Sequence, residues 1–214
     1  MTVKTSNSVR FWDRIAPKYA RDPIKDMAGY ETSLARTRDL IADRQSVLEI
    51  GCGTGTTALK LARTGQAYLA TDVSPAMIGI SEEKAAAEVN RNVIFGVAEP
   101  MTAPWLDSTF DAVLAFNVLH LVPERQAVLS QLYRVLAPGG LLISKTPCLK
   151  EMNPLIIKGV LPVMTVLGQA PFVSVFSASE LERDLVRAGF ELRSVERHGS
   201  GRKDERVFMV AQKP

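Results

Sequence analysis

Short apolar runs alternate along this chain with longer stretches in which apolar residues recur every three or four positions. Residues 46–50 (SVLEI), 67–71 (AYLAT), 92–97 (NVIFGV), 110–116 (FDAVLAF) and 140–145 (GLLISK) read as five strands. Between them, residues 56–63, 75–89 and 124–136 carry helical spacing. Strands alternating with helices of this length predict βαβ units around a mostly parallel sheet. Strands so continuously apolar belong in a sheet covered on both faces. The punctuation agrees. Ser74-Pro75 sets a cap before a proline at the first helical position, Pro123 opens the next helix, and Pro138-Gly139-Gly140 ends it.

Both ends depart from the alternation. Residues 9–19 (VRFWDRIAPKY) and 30–42 predict two helices ahead of the first strand, with Phe11, Trp12, Ile15 and Tyr19 on one face. That face either packs on the sheet domain or makes residues 1–45 a helical lid over a ligand. At the other end, residues 179–188 predict a helix capped by Gly189, followed by strands at 190–197 and 206–212. The polar stretch 198–205 joins those two strands, so they form an antiparallel hairpin. The expected organisation is thus a lid over residues 1–45 and one α/β domain over 46–214.

Composition narrows the classes. The chain has 214 residues, 46% hydrophobic and 23% charged, enough for one domain that buries its own core. Cys52 and Cys148 are too few for a disulfide scaffold. With only His120 and His198 and no clustered aspartates, no metal is expected. The net charge of +3 is spread along the chain, which argues against nucleic acid as partner. The first ten residues lack the apolar core of a leader peptide, so a cytoplasmic protein is expected. Residues 159–178 carry no charge and are long enough to span a membrane, but Pro162, Gly168, Gln169 and Pro171 argue for a broken helix plus loop.

The chemistry concentrates in VLEIGCGTG at 47–55. A strand ends in three alternate glycines and a helix begins. Glycine allows positive φ and close approach of a ligand to the backbone. The unpaired N–H groups of the helix start suit a carboxylate. The spacing is neither G-x-G-x-x-G nor a Walker loop. Glu49 lies within the strand end, where a buried carboxylate needs a donor or cation, and a ligand ammonium would meet that need. Asp72 closes the second strand, 21 residues after Gly51, where α/β nucleotide folds place a carboxylate on ribose hydroxyls.

Together with ATDVSPAMI at 70–78, FDAVLAFNVLHLVPE at 110–124 and LYRVLAPGGLLI at 132–143, this loop resembles the class I S-adenosylmethionine-dependent methyltransferases, over roughly residues 46–145. The resemblance implies a Rossmann-like three-layer sandwich, with a mostly parallel seven-stranded sheet, an antiparallel C-terminal hairpin and helices on both faces. It implies S-adenosylmethionine as cofactor and S-adenosylhomocysteine as product. Glu49, Gly51, Gly53 and Gly55 would line the methionine half, and Asp72 would hold the ribose. Val73 and Met77 would flank the adenine, Ala98 and Glu99 would meet its edge, and Asn117 would touch the methionine part or the substrate. The Gly-Asp-Ala-Glu common in this group is Gly96-Val97-Ala98-Glu99 here, without the acidic residue.

Methyl transfer needs alignment and exclusion of water more than a dedicated catalytic group. His120, after the fourth strand, is the candidate base or a pocket-lining residue. Tyr19, as a second catalytic and cofactor-side candidate, and Trp12 offer rings to a sulfonium, and Tyr30 is expected to reach the substrate pocket with Trp12 and His120. Lys145 reads as a solvated charge. The apolar run 154–176, within a cover at about 150–178, either covers an apolar acceptor or packs on the sheet or a partner subunit. The expected acceptor is a small hydrophobic or amphipathic molecule, or a lipid or quinone precursor met at a membrane surface by a peripherally bound enzyme. A binding protein that does not turn the cofactor over is the rival reading. Either a monomer or a homodimer fits.

Overall fold

A computed structural model describes residues 3–88, 92–152, 159, 170–201 and 204–214. Most of the expected apolar cover, residues 153–158 and 160–169, lies outside the described residues. Two helices come first, α1 (Val3–Arg21) and α2 (Met27–Leu40). The sheet elements then follow as β1 (Ser46–Ile50), α3 (Thr56–Leu61), β2 (Ala67–Asp72), α4 (Pro75–Ala87), β3 (Val93–Val97), β4 (Phe110–Phe116), α5 (Arg125–Val135), β5 (Leu136–Pro147), α6 (Ala178–Arg187), β6 (Glu191–Arg197) and β7 (Arg206–Gln212). The strands form one seven-stranded sheet in the order β3-β2-β1-β4-β5-β7-β6. The first five run parallel, and β7 pairs antiparallel with both β5 and β6.

The expected alternation of buried residues is resolved face by face. Leu48, Val113 and Leu142 join Val128, Leu132 and Leu185 from α5 and α6 on one side. Their chain neighbours Val47, Leu114 and Ile143 join Leu34, Ala58 and Leu61 from α2 and α3 on the other. Successive side chains of a strand point to opposite faces, so a strand buried twice is apolar at every position. Edge strand β3, by contrast, leaves Ile94 69% exposed.

Two boundaries differ in kind from expectation. Strand β5 begins at Leu136 rather than 140, because Pro138-Gly139-Gly140 bends the strand without ending it. Phe110 pairs with Leu136, then Ala112 with Leu141, across an irregularity where Gly139 holds φ +76°. Helix α6 starts at a capping box that the sequence reading passed over. The Ser177 hydroxyl accepts from the Glu180 N–H, and the Glu180 carboxylate accepts from the Ser177 N–H.

Strand β1 lies between β2 and β4, so the chain's direction of build reverses there. Such a switch point opens a crevice at the carboxyl ends of the two strands, where ligands of α/β sheets bind. The glycine loop leaves β1 at this crevice, and residues 117–121 leave β4 beside it.

Candidate functional site

The glycine loop is held from below and from the side. Gly51, Gly53 and Gly55 adopt φ of +65°, +55° and +75°, a region that side chains rarely enter. At Gly51 a Cβ would lie 2.6 Å from Val118, and at Gly55 2.6 Å from Ser81. Gly53 has room, and the nearest group above it is the Tyr19 ring at 3.5 Å. Lys84, on α4, donates its ammonium to the Thr54 carbonyl at 3.0 Å and to the Thr54 and Thr56 hydroxyls at 2.9 and 3.0 Å. Helix α3 is only six residues long, so its unpaired first-turn N–H groups matter more here than any macrodipole.

Asp72 couples this loop to the next turn. One carboxylate oxygen accepts from the Gly53 N–H and the other from the Ser74 N–H, each at 2.9 Å. An ionised carboxylate has about four lone-pair sites, which leaves acceptor capacity for two ligand hydroxyls. Burial pushes the Asp72 carboxyl above its ordinary value, and the N–H groups of Ser74, Gly53 and Val73 pull it back. The Ala98 N–H donates to the Asp72 carbonyl at 3.0 Å, which brings the end of β3 beside it. Val73 is partly covered next to Asp72, and Glu99 opens the turn that follows, its carbonyl accepting from the Thr102 and Ala103 N–H groups. Met77 is buried, and Val97, where the family motif is acidic, is 53% exposed.

Glu49 is 2% exposed. Burial raises its carboxyl to about 7, and a 2.6 Å hydrogen bond from the Tyr68 hydroxyl opposes that rise. The donor that this carboxylate needs is therefore partly internal, supplied by β2. The sequence reading had offered only a ligand ammonium, because the diagonal approach of Tyr68 depends on the strand register.

Tyr19 also lines a cavity of about 650 Å³, within the usual size of about 300–1,000 Å³ for small-molecule sites. Trp12 and Tyr19 of α1 form one wall, their rings edge to face at 6.3 Å. Asn117, His120 and Leu121 enter from the end of β4, and Pro147, Leu149 and Met152 from beyond β5. Asn117 holds φ +53°, an uncommon conformation for a residue with a side chain, and its N–H donates to the Lys145 carbonyl at 2.8 Å. Burial, and secondarily the charge of Arg206, lowers His120 to about 4. Its Nδ1 is buried and has no hydrogen-bond partner among the described residues. Tyr19 is 48% exposed. Its hydroxyl is raised above the ordinary phenol value, first by desolvation and then by Asp72, which keeps it protonated.

Helix α1 is tied down directly over this region. The Asp13 carboxylate accepts from the Ser74 hydroxyl at 2.6 Å and from the Ala76 N–H at 3.1 Å, adding a second cap to α4.

Of the three expected pocket residues, Trp12 and His120 share the cavity and Tyr30 does not. The Tyr30 hydroxyl is hydrogen-bonded with the Thr57 hydroxyl at 3.2 Å, and its ring lies under the Lys60 ammonium. Helix α2 runs along α3, so Tyr30 meets that helix instead of the cavity. Lys145 is not a solvated charge. It donates to the Ser33 hydroxyl at 2.7 Å and the Gly29 carbonyl at 3.2 Å, and burial lowers its pKa. In the same seam, Ser33 is bonded with His198 Nδ1 at 3.0 Å, and Glu196 accepts from Arg36 at 3.1 Å. These contacts clamp α2 onto the hairpin.

The sequence reading also missed a wall. The hairpin loop contributes Gly199, Ser200, Asp204 and Arg206 to the cavity, and the α2 cap contributes Asp26. Because β7 runs antiparallel to β5, its first residue, Arg206, pairs with Pro147 at the carboxyl end of β5. A hairpin read from sequence carried a signal for this only if the position of β7 in the sheet were known.

Comparison with known proteins agrees with this layout. Residues 48–144 match the family model of a methyltransferase domain. The chain is 34% identical over 158 residues to a 27-O-demethylrifamycin SV methyltransferase of Amycolatopsis mediterranei, covering 70% of this chain and 55% of that protein. It is 34% identical over 140 residues to a demethylmenaquinone methyltransferase of Thermus thermophilus, covering 62% of each. The chain thus spans little more than half the length of the first of these relatives. Among solved structures, a SAM-dependent methyltransferase from Thermotoga maritima superposes with a TM-score of 0.72 at 22% identity, over 96% of this chain and 99% of that one. Over residues 48–144 the chain matches a methyltransferase domain, and it is similar there to methyltransferases in sequence and to S-adenosylmethionine-dependent methyltransferases in fold.

Proposed function

We propose that this chain transfers a methyl group from S-adenosylmethionine to a small hydrophobic or amphipathic acceptor. When bound, the cofactor supplies a methyl on a sulfonium, already activated for in-line displacement, and leaves as S-adenosylhomocysteine. Asp72 receives the ribose hydroxyls with its remaining lone pairs. Glu49 receives the ammonium environment, and the N–H groups of Thr54 and Thr56, after Gly53 and Gly55, serve the carboxylate, while that of Cys52, after Gly51, is held by the Thr71 carbonyl. Val73, Met77, Ala98 and Glu99 border the adenine. Asn117 and Tyr19 stand at the boundary with the acceptor.

The observation that carries this reading is the position of Tyr19, whose ring lies 3.5 Å from a Cβ built at Gly53 and also lines the cavity. A single wall shared by two sites brings two ligands end to end, as methyl transfer requires. Helices α1 and α2, as a lid over residues 1–45, exclude water from that junction. His120 is neutral at physiological pH. It accepts a proton where the acceptor releases one and otherwise shapes the pocket. Relatives named for demethylrifamycin and demethylmenaquinone support a small-molecule acceptor. The second of them supports a narrower reading, a quinone precursor met at a membrane face. Among the described residues no helix is long and apolar enough to cross a membrane, so such contact would be peripheral.

The test uses purified protein, methyl-labelled S-adenosylmethionine and a total cell extract, with products partitioned between organic and aqueous phases. Label in the organic phase is the expected result. Label only in the aqueous phase removes the hydrophobic acceptor. No transferred label, together with measurable S-adenosylhomocysteine binding, leaves a cofactor-binding protein in place of an enzyme.

A further inference from the structure

Within the cavity, the polar groups fall into two kinds. Of the three carboxylates, those of Asp26 and Asp204 are already engaged, whereas that of Glu205, next to Arg206, makes no hydrogen bond or ion pair with any described residue. Asp26 accepts from the Gly29 N–H at 3.0 Å, the Ser200 hydroxyl at 2.7 Å and the Ser200 N–H at 3.0 Å, bonds that hold it near 2. Asp204 accepts from the Gly199 N–H at 2.6 Å and the Arg206 N–H at 3.0 Å. These carboxylates shape the loop and have spent their strongest acceptor sites on it.

The Ser200 donors are spent on Asp26, but two other polar groups of the cavity are not engaged. The Arg206 guanidinium lines the cavity and makes no hydrogen bond or ion pair with any described residue. His120 faces the same space with its buried Nδ1 equally unpartnered. The charge of Arg206 acts on His120, Tyr19 and Lys145, residues that approach from three different elements, whereas that of Glu205 acts on none of them. Asp204 and Asp26 oppose Arg206 at Lys145, and Asp72 opposes it at Tyr19, so its charge acts without an opposing carboxylate at His120. An unmatched guanidinium with five donors fits a carboxylate or another anionic oxygen group, to which it bonds in a planar, two-pronged way. The remaining walls, Trp12, Leu121, Leu149 and Met152, are aromatic or aliphatic.

We propose that Arg206 is a specificity-determining residue that receives an anionic oxygen group on an otherwise apolar acceptor, beside His120. This deepens the methyltransferase reading and rests on it. It narrows the acceptor from hydrophobic or amphipathic to amphipathic and negatively charged.

The experiment titrates the protein, saturated with S-adenosylhomocysteine, with two probes of matched size, 2-naphthoate and 2-naphthalenemethanol, by calorimetry. Saturation is checked first in a separate titration. If S-adenosylhomocysteine does not bind, the cofactor reading fails by itself. The expected result is a preference of about tenfold for the naphthoate, the scale of one charge-assisted pair. Arg206→Gln removes that preference while leaving the alcohol's affinity and the cofactor's affinity unchanged. Arg206→Lys restores it in part, because the charge returns without the fork. Equal affinity for the two probes, no binding of the naphthoate, or a preference that survives in Arg206→Gln overturns the proposal. Unchanged cofactor affinity in Arg206→Gln shows that the variant is folded.

Discussion

The two halves of the crevice are built on opposite plans. On the glycine-loop side, the polar groups are knitted together before any ligand arrives. Asp72 holds two N–H groups, Lys84 holds three oxygens, and Glu49 is bonded by Tyr68. On the cavity side, His120 Nδ1 and the Arg206 guanidinium have no partner among the described residues. In the proposed reading the first half receives the cofactor, a ligand of fixed shape, and its internal bonds preorganise it, which lowers the ordering cost of binding. In the same reading the second half keeps polar groups open for the acceptor. A buried polar atom such as His120 Nδ1 is expensive to leave unpaired, whereas the Arg206 guanidinium is exposed at the mouth of the site.

Four substitutions sharpen or break this contrast. Asp72→Ala carries the largest expected effect. It removes the proposed ribose acceptor and releases two loop N–H groups, so S-adenosylhomocysteine affinity falls about a hundredfold, roughly 2.7 kcal/mol. An unchanged dissociation constant by calorimetry would return Asp72 to a purely structural role.

Glu49→Gln tests whether the knitted half stores a proton. The Glu49 carboxyl, raised to about 7 by burial, binds its proton more tightly in the folded than in the unfolded chain. Its contribution to stability is therefore complete below the ordinary carboxylate range and is lost as pH rises toward 7. The stability gap between the unliganded wild type and Glu49→Gln should shift by at most about 3 kcal/mol between pH 4.5 and 7.5. Parallel denaturation curves across that range would show that the carboxyl is not held protonated.

His120→Ala probes the open half. A pocket-shaping imidazole predicts a loss of about tenfold in turnover, whereas a loss beyond about 10³-fold makes it a general base. The pH profile separates the two further. Since burial holds His120 near 4, a fall in kcat between pH 7 and 6 belongs to another group.

Asp13→Ala is the smallest. Loss of the second cap on α4 costs about 1 kcal/mol of stability and frees α1 at one end. Cofactor release, followed by stopped flow, should quicken several-fold with little change in the affinity of acceptor probes. An unchanged release rate would separate α1 from cofactor retention.

Legibility in the sequence follows the same division. The glycine loop and Asp72 were readable because their geometry is local. Positive φ demands glycine at 51, 53 and 55, and Asp72 follows one βα unit later. The central strands were readable because burial on both faces leaves few polar positions, such as Glu49 in β1, to interrupt the apolar run. The start of β5 at Leu136 was not, since a bend at Gly139 has the composition of a stop. Tyr30 meets Thr57 rather than the cavity lined by Trp12 and His120, because aromatic spacing tells which face a residue occupies and not what that face meets. Lys145, too, was taken for a surface charge because its partners, Gly29 and Ser33, lie more than a hundred residues away.

By itself, then, the sequence determined the alternation of strands and helices, the ligand loop and the carboxylate that follows it, all properties of contacts within a few dozen residues. Only the tertiary structure decided that β7 enters the sheet beside β5, that Tyr68 reaches Glu49, and that Arg206 and His120 face one cavity. Those outcomes depend on strand order and register, which arise from the packing of the whole sheet against its helices rather than from any segment's own pattern.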